Sequence, residues 1–214
     1  LWRDDLKIAV LHHGYDFSKA KHQEGMNEED MELFQKIGLR PYFLMVSTIE
    51  PRKAHEQVLR AFEILWKDGH DFNLVYAGKE GWLVEYLVDY MKKHPERGKR
   101  FFWLGYVSDD LLEHLYRNAM ACIVASEGEG FGLSVIESAS FGTPIIARDI
   151  PVFREVGGDG VYYFGNTKEP RALSEDIKRW LELYKENRFP KPSSIKLMTW
   201  DEHVERLKEI LLED

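Results

Sequence analysis

Short apolar runs alternate with longer segments of helical periodicity along most of the chain, and this alternation restricts the possible folds most strongly. The apolar runs predict seven strands: Lys7–His12, Tyr42–Thr48, Asn73–Ala77, Phe101–Leu104, Ala121–Ala125, Pro144–Ala147 and Val161–Phe164. Strands that are separated by helices usually pair in parallel. The pattern therefore predicts an α/β fold with a Rossmann-like parallel sheet and helices on both faces.

The helical segments show an apolar stripe on one side, as between residues 54 and 67. Six helices are predicted: Ala54–Lys67, Leu83–Lys93, Ser108–Asn118, Leu133–Ser140, Pro170–Tyr184 and about Trp200–Leu212. Residues 187–194 contain proline and serine and predict a linker. We therefore expect one domain over residues 1–188, followed by a linker and a final helix over residues 189–214.

The composition excludes several classes of protein. A chain of 214 residues with 44% hydrophobic content can form one large domain or two small ones. The net charge of −8 argues against nucleic acid as a partner. Cys122 lies in an apolar run, which favours a small core residue in a reducing compartment. No apolar run approaches the roughly 20 residues that span a bilayer, so we expect a cytoplasmic protein.

Unusual residues collect where the predicted strands end. In open α/β sheets, ligands bind beyond the carboxyl ends of the strands. If the sheet is parallel, five loops share this edge: residues 49–53, 78–82, 105–107, 126–132 and 148–151.

Two of these loops carry the residue types of a phosphate and sugar site. The Gly128–Gly132 segment lets the backbone approach a ligand, and the helix that follows favours anions at its N-terminus. Arg52 and Lys53 add two cations on a neighbouring loop, which suits a diphosphate. Glu129 and Glu137 suit hydroxyl groups, because a carboxylate accepts from two adjacent hydroxyls. A diphosphate between two sugars is a nucleotide sugar.

Five stretches in this order carry a family resemblance: Val46–Lys53, Gly78–Trp82, Gly105–Asp109, Glu129–Glu137 and Pro151–Asp159. The chain resembles the C-terminal, donor-binding half of a GT-B glycosyltransferase of the retaining family 4, also described as glycosyl transferases group 1. The resemblance extends from about residue 7 to the final helix.

The resemblance implies a role for each matching position. Glu129 would hold hydroxyls of the transferred sugar, Arg52 and Lys53 would stabilise the departing diphosphate, and these three form the catalytic set. Glu137 would bind the ribose diol. The other donor-binding residues would contact sugar, phosphate or base, several through backbone N–H groups: Gly130, Phe131, Gly132, Leu133, Ser134, Val107, Tyr106, Gly78 and Lys79.

The donor implied is a UDP-sugar, a GDP-sugar or a similar nucleotide sugar. We expect neither a cofactor nor a metal, since Arg52, Lys53 and the helix terminus can neutralise the diphosphate. One departure concerns Thr48, which stands where many relatives place an arginine. Arg52 would then supply the missing charge.

A second departure concerns the acceptor. Family members have two Rossmann-like halves, and the N-terminal acceptor domain is expected to be absent from this chain. The implied reaction is transfer of a hexosyl group with retention to a glycan or lipid-linked acceptor in bacterial surface polysaccharide biosynthesis. Mannose and rhamnose are the candidate sugars. Peripheral association with the inner face of a membrane stays open, because a basic cluster over residues 92–100 suits either anionic lipid or solvent.

Two other functions remain open at this point. The first is a nicotinamide-dependent enzyme. Gly128 and Gly130 precede a helix, and Asp149 follows at about the 20 residues expected for a dinucleotide-binding motif. Against it, Leu133 stands where close packing needs a small residue. The chain can also be a nucleotide-sugar-binding module that is inactive without a partner domain.

Two further features favour structural roles. His12 and His13 are neighbours on a predicted strand, so they point to opposite faces and do not chelate a metal together. Glu155 lies near the same edge, where we expect it to order its loop.

Overall fold

The computed structural model describes residues 8–15 and 25–212, and it is built around one parallel sheet. Its six strands are β1 (Tyr42–Val46), β2 (Asn73–Ala77), β3 (Phe101–Trp103), β4 (Ala121–Val124), β5 (Ile145–Arg148) and β6 (Tyr162–Phe164). They pair in the order β3-β2-β1-β4-β5-β6, and every pair is parallel. The predicted Rossmann-like α/β sheet is confirmed.

Eight α-helices lie within the described residues: α1 (Glu28–Ile37), α2 (His55–Lys67), α3 (Glu85–Lys92), α4 (Asp109–Asn118), α5 (Leu133–Ser140), α6 (Pro151–Gly157), α7 (Pro170–Lys185) and α8 (Trp200–Leu212). One apolar core joins α2, α3 and α7 to one face of the sheet. A second core joins α1, α4, α5 and α6 to the other face. Burial of both faces explains why the strands are apolar throughout rather than alternating.

Most predicted elements are present within a few residues of their expected ends, but the strand predicted at Lys7–His12 is wrong. Lys7 lies outside the described residues, and residues 8–12 form no strand. Ile8 and Val10 are 84% and 76% exposed. The segment instead follows the C-terminal part of the chain, since Tyr15 N–H donates to the Met198 carbonyl at 2.7 Å. Its apolar residues give the pattern of a strand, but residues 8–12 pair with none of the six strands.

The sequence did not predict α1 or α6. Helix α1 begins at a cap, where Asn27 Oδ1 accepts from the Asp30 N–H at 2.8 Å. It buries Ile37 fully, while Leu33 and Phe34 pack against the same core with partial exposure. Helix α6 has seven residues, which is too short to show a helical period.

The predicted linker has regular structure of its own. Residues Pro192–Ser194 form a 3₁₀ turn, and Ile195 behind it is buried. A Cβ added to Gly160 would lie 2.4 Å from Ile195 Cγ1, so this turn packs closely on the domain. The division of the chain at residue 188 stays a prediction.

The sheet has one topological switch point, between β1 and β4. From β1 the chain crosses outward to β2 and β3, and from β4 it crosses outward to β5 and β6. The loops after β1 and β4 therefore diverge and leave a crevice at the carboxyl ends of these strands. This crevice lies between residues 47–53 and residues 125–132.

Helix α8 lies against the N-terminal segment. The His203 Nδ1 atom is 2.7 Å from the His12 carbonyl oxygen, and Trp200 packs directly on Gly14. Within residues 8–15 and 25–212, none of the helices combines the length and apolar character that crossing a bilayer requires.

Candidate functional site

The first wall of the crevice is the turn that carries Arg52 and Lys53. It is a 3₁₀ turn, Pro51–Lys53, and it ends at Ala54, whose φ of 60° lies in the left-handed region. A non-glycine residue there costs about 1–2 kcal/mol, so surrounding contacts must hold it. One such contact is the fully buried His55, whose Nε2 lies 3.2 Å from Ser47 Oγ at the end of β1.

His55 is a neutral side chain beside this turn. Burial, assisted by the nearby positive charge of Lys53, lowers the pKa of His55 to about 3. The Tyr76 hydroxyl donates to the His55 backbone carbonyl at 2.8 Å, which fixes the start of α2. The turn is thus anchored to β1 and β2 without adding a further charge.

The second wall is the glycine turn that leads from β4 into α5. Gly132 is the N-terminal cap of α5 and has a φ of 89°, which favours glycine. A Cβ at this position would lie 3.1 Å from the Phe153 ring. The Glu127 N–H donates to the Arg52 carbonyl at 2.8 Å, so the backbones of the two walls are joined directly.

Side chains also cross between the two walls. Arg52 Nη1 donates to Glu129 Oε2 at 2.9 Å and to the Gly128 carbonyl at 3.2 Å, and its Nε donates to Glu50 at 3.1 Å. Lys53 Nζ donates to Glu129 Oε1. The three residues that the resemblance identified as catalytic therefore form one ion-paired group. Their roles stay predictions.

Glu129 is held as a carboxylate. Burial acts to raise its pKa, but hydrogen bonds from Lys53, Ser126 and Arg52 outweigh burial and lower the pKa below the usual value. Its side chain is only 15% exposed. Glu129 is therefore a paired and largely buried carboxylate, not a solvated loop residue.

Glu137 lies at the start of the second turn of α5, in a different environment. Its Oε2 accepts from the Tyr116 hydroxyl at 2.9 Å. Burial raises the pKa of Glu137, while the Tyr116 hydrogen bond and the charge of Lys53 oppose this shift. No arginine or lysine pairs with it among the described residues, so Tyr116 is its side-chain partner there.

A cleft of about 570 Å³ opens between the glycine turn and the N-terminal segment, and we call it the central cleft. It collects Lys53, Glu129 and the start of α5 with two features that the sequence did not place at the site, Glu155 and residues 10–13. Its lining includes five predicted donor-binding positions: Gly130, Phe131, Gly132, Leu133 and Ser134.

A second cleft of about 290 Å³, the side cleft, lies where β1, β2 and β3 end. Four predicted donor-binding residues line it: Gly78, Lys79, Tyr106 and Val107. Gly78 permits β1 and β2 to close here, since a Cβ on it would lie 1.9 Å from the Ser47 carbonyl oxygen. The sequence missed Asp109 as a lining residue.

Glu137 is not among the residues that line the central cleft or the side cleft. One turn before it on α5, Ser134 lines the central cleft and its Oγ is 3.5 Å from the Val46 carbonyl, while Val46 lines the side cleft. Because residues three apart on a helix share a face, Glu137 lies on the side of α5 that joins the two clefts.

His12 and His13 contribute to the site, although the sequence predicted only structural roles for them. Both rings contact Phe131, with centroid distances of 5.4 and 5.1 Å. Glu155 joins them, because His12 Nε2 lies 2.8 Å from Glu155 Oε1. Glu155 therefore lies in the cleft wall, and its expected role in ordering its loop stays a prediction. The contact between His12 and Glu155 could not be predicted from the sequence, since these residues meet only through the tertiary fold.

Arg148 is a second residue that sequence reasoning did not identify. It is fully buried at the end of β5. Its guanidinium donates to the Ala125 carbonyl at 2.9 Å, the Thr167 carbonyl at 2.6 Å and Gln57 Oε1 at 2.5 Å. We call the turn that carries Arg52 and Lys53 the cation turn. Arg148 therefore links α2, which follows the cation turn, to the end of β4, which precedes the glycine turn.

The basic cluster over residues 92–100 lies apart from both clefts. Lys93 pairs with Asp89 at 2.8 Å and Arg100 pairs with Glu96 at 2.8 Å. Local carboxylates thus neutralise part of the cluster, which favours a solvated face over a lipid-binding surface.

The family model for glycosyl transferases group 1 matches residues 27–194. The chain therefore belongs to this family of GT-B-type glycosyltransferases, as the resemblance predicted. The matched residues include both walls of the crevice and the lining of both clefts, except residues 10–13 of the central cleft.

The similar curated proteins include several that are named as mannosyltransferases. Over 200 residues the chain is 40% identical to a serotype-specific mannosyltransferase WbdA of Escherichia coli, which covers 94% of this chain and 24% of that protein. It is 30% identical over 175 residues to the O-antigen chain mannosyltransferase RfbU of Salmonella typhimurium, covering 82% of this chain and 44% of that protein. The chain spans about a quarter of the length of the first of these relatives.

Solved structures share the fold. Anabaena HepE, in complex with UDP and glucose, matches with a TM-score of 0.72 and 18% identity over 96% of this chain and 57% of its own. The catalytic domain of starch synthase IV from Arabidopsis thaliana, bound to ADP and acarbose, matches with a TM-score of 0.68 and 16% identity over 86% of this chain and 41% of its own. At these identities the likeness concerns the fold.

Proposed function

We propose that this chain is the donor-binding domain of a retaining hexosyltransferase, that its donor is a GDP-hexose, and that the hexose is mannose. The observation that carries the proposal is the convergence of Lys53, Glu129 and the N-terminus of α5 in one cleft at the switch point of the sheet. The side cleft lies next to it along the same edge. A nucleotide sugar has the matching order of groups, with base, ribose, diphosphate and hexose in sequence.

The diphosphate fits between the cation turn and the start of α5. Within the described residues, Lys53 donates only one of its three N–H groups, and Arg52 Nη2 has no hydrogen-bond partner. These N–H groups can donate to phosphate oxygens while Glu129 stays paired. The helix N-terminus adds further N–H groups and a positive potential.

The side cleft fits a purine base with adjacent N–H groups, because Asp109 contributes a carboxylate to its lining. Guanine offers two neighbouring N–H donors that one carboxylate can accept together. Uracil offers a single N–H between two carbonyl oxygens, which a carboxylate repels. The carboxylate in the lining of the side cleft therefore favours GDP over UDP.

The choice of mannose rests on the mannosyltransferase names of the similar curated proteins. The O-antigen name of one of them also supports a surface polysaccharide as the product. A glycan or lipid-linked acceptor follows from the family resemblance. Retention of configuration comes from the family resemblance, and so does the role of an N-terminal acceptor domain. Rhamnose stays an unsupported alternative.

The part of the reaction that this chain would perform is positioning and electrostatic stabilisation. Lys53 and Arg52 would neutralise the charge that develops on the departing diphosphate. Glu129 would orient the hexose by accepting from its hydroxyls, and Glu137 would accept from the ribose diol. None of these steps needs a nucleophile from the chain.

A calorimetric titration of the chain with GDP, UDP, ADP and GDP-mannose tests the proposal. We expect GDP to bind about tenfold or more tightly than UDP, since leaving Asp109 opposite a carbonyl costs roughly 1–3 kcal/mol. Asp109→Asn should reduce this preference, while the matched change Asp110→Asn on the same helix should not. Tighter binding of UDP than GDP would refute the guanine assignment, and binding of none of the four would refute donor binding.

A further inference from the structure

Glu155 has no role in the function proposed above, although it lines the same cleft as Glu129. Its side chain is 57% exposed, and its Oε1 lies 2.8 Å from His12 Nε2. A carboxylate oxygen only accepts, so the imidazole Nε2–H is the donor. Among the described residues, Oε2 of Glu155 has no hydrogen-bond partner. One oxygen of this carboxylate is thus fixed and the other is available to a ligand.

The backbone that carries Glu155 is held in place. On the same helix, Phe153 is fully buried and approaches Gly132, the cap of α5. The neighbouring Arg154 is committed elsewhere, because its Nε and Nη2 donate to the Asp149 carboxylate at 2.7 and 2.8 Å. Arg154 therefore leaves the charge of Glu155 uncompensated.

His12 is also fixed on two sides. Its backbone carbonyl accepts from His203 Nδ1 of α8 at 2.7 Å. Its ring lies 5.4 Å from the Phe131 ring, at the glycine turn. His12 thus sets the direction of Glu155 from a different part of the chain.

We propose that Glu155, positioned by His12, is a second carboxylate of the donor-sugar site and accepts hydroxyls of the transferred hexose. This inference rests on the proposed function. Both oxygens of Glu129 already accept from Arg52 and Lys53, which limits the hydroxyls that Glu129 can hold alone. A hexose carries hydroxyls on both sides of its ring, and Glu155 supplies an acceptor from a different element of the same cleft.

Titration calorimetry on the chain with GDP and with GDP-mannose tests this inference. In Glu155→Ala, the affinity for GDP-mannose should fall about tenfold, because a charged acceptor is lost, while the affinity for GDP should change less than about twofold. The matched control is Glu182→Ala, an exposed carboxylate on α7 that pairs with Lys185 at 2.8 Å and lies outside both clefts. The control should bind both ligands as the wild type does.

Variants of His12 separate positioning from direct contact. His12→Ala removes the donor to Glu155 and should weaken GDP-mannose about threefold with GDP unchanged. His12→Gln retains an N–H donor and should recover most of this loss. A purely structural pair would instead weaken both ligands equally, and no rescue specific to GDP-mannose would follow.

The outcomes also distinguish this inference from the proposal on which it rests. If the wild-type chain binds GDP-mannose and Glu155→Ala binds it equally well, the second-carboxylate role is refuted and donor binding stands. If the wild-type chain binds neither GDP nor GDP-mannose, both are refuted. Equal losses for GDP and GDP-mannose in a folded Glu155→Ala chain also refute the sugar contact.

Discussion

The glycine turn carries Glu129 and the helix that follows it carries Glu137, and the two glutamates differ in their hydrogen-bond partners and in the direction of their pKa shifts. Glu129 in the turn accepts from two cations and its pKa is lowered. Glu137 in α5 accepts from a tyrosine hydroxyl and burial raises its pKa. The comparison shows that sequence spacing can locate a pair of carboxylates, while the charge that each one carries depends on partners from distant loops.

The largest expected effect comes from removing a cation that pairs with Glu129. Lys53→Met should weaken GDP and GDP-mannose about 10- to 100-fold, since a charge-assisted hydrogen bond to phosphate contributes about 1.5–3 kcal/mol. The matched control is Lys168→Met, because Lys168 pairs with Glu127 outside both clefts. Unchanged affinity in Lys53→Met, measured by calorimetry, would contradict a diphosphate contact.

The next effect concerns stability and should have opposite signs for the two glutamates. Glu129→Gln leaves Lys53, which is 13% exposed, without its carboxylate, so the melting temperature should fall by several degrees. Glu137 has a raised folded-state pKa, so its ionised form opposes folding at neutral pH. Glu137→Gln removes that charge, and the melting temperature should stay the same or rise.

Thermal unfolding at pH 7 and pH 5 measures this contrast. In the wild type, Glu137 should destabilise the folded chain less at pH 5 than at pH 7. Its raised pKa means that a larger fraction of the carboxyl is protonated as pH falls. A melting temperature that drops strongly in Glu137→Gln at pH 7 would show that the ionised carboxylate is a stabilising group and would break the comparison.

A separate expected effect is a pH dependence of stability from His55, beside the turn that carries Arg52 and Lys53. Its folded pKa is about 3, below the unfolded value of 6.5. Between these values the unfolded chain binds a proton that the folded chain does not bind. The free energy of unfolding should therefore fall as pH decreases from about 6.5 towards 3, by at most about 1.4 kcal/mol per pH unit.

Urea unfolding of the wild type and His55→Gln at pH 7 and pH 5 checks this contribution. Carboxyl groups titrate in both proteins, so the difference between them isolates the histidine. An equal loss of stability in both proteins would show that His55 gains a proton in the folded chain.

The elements that the sequence predicted well are those with a strong local signal. The buried strands are apolar throughout, and α2 and α7 carry clear stripes, so the parallel sheet and the loops at its edge followed from pattern alone. Helix α1 was not predicted, although Leu33, Phe34 and Ile37 pack on the core at helical spacing. The strand predicted over residues 7–12 failed because exposed apolar residues carry the same pattern as buried ones.

The site was predictable to the extent that its groups lie on loops at the carboxyl ends of parallel strands. Arg52, Lys53 and Glu129 meet because β1 and β4 are neighbours in the sheet. Glu155 and His12 meet across 143 positions, and no sequence period encodes such a contact. The buried Arg148 could not be identified either, since its three acceptors come from separate segments.

The central claim is that the two glutamates bind different parts of one donor, Glu129 the hexose and Glu137 the ribose. Calorimetric affinities of Glu129→Ala and Glu137→Ala for GDP and GDP-mannose test it most directly. Glu137→Ala should weaken both ligands to a similar degree, whereas Glu129→Ala should weaken mainly GDP-mannose. Equal losses for GDP and GDP-mannose in Glu129→Ala would contradict the account.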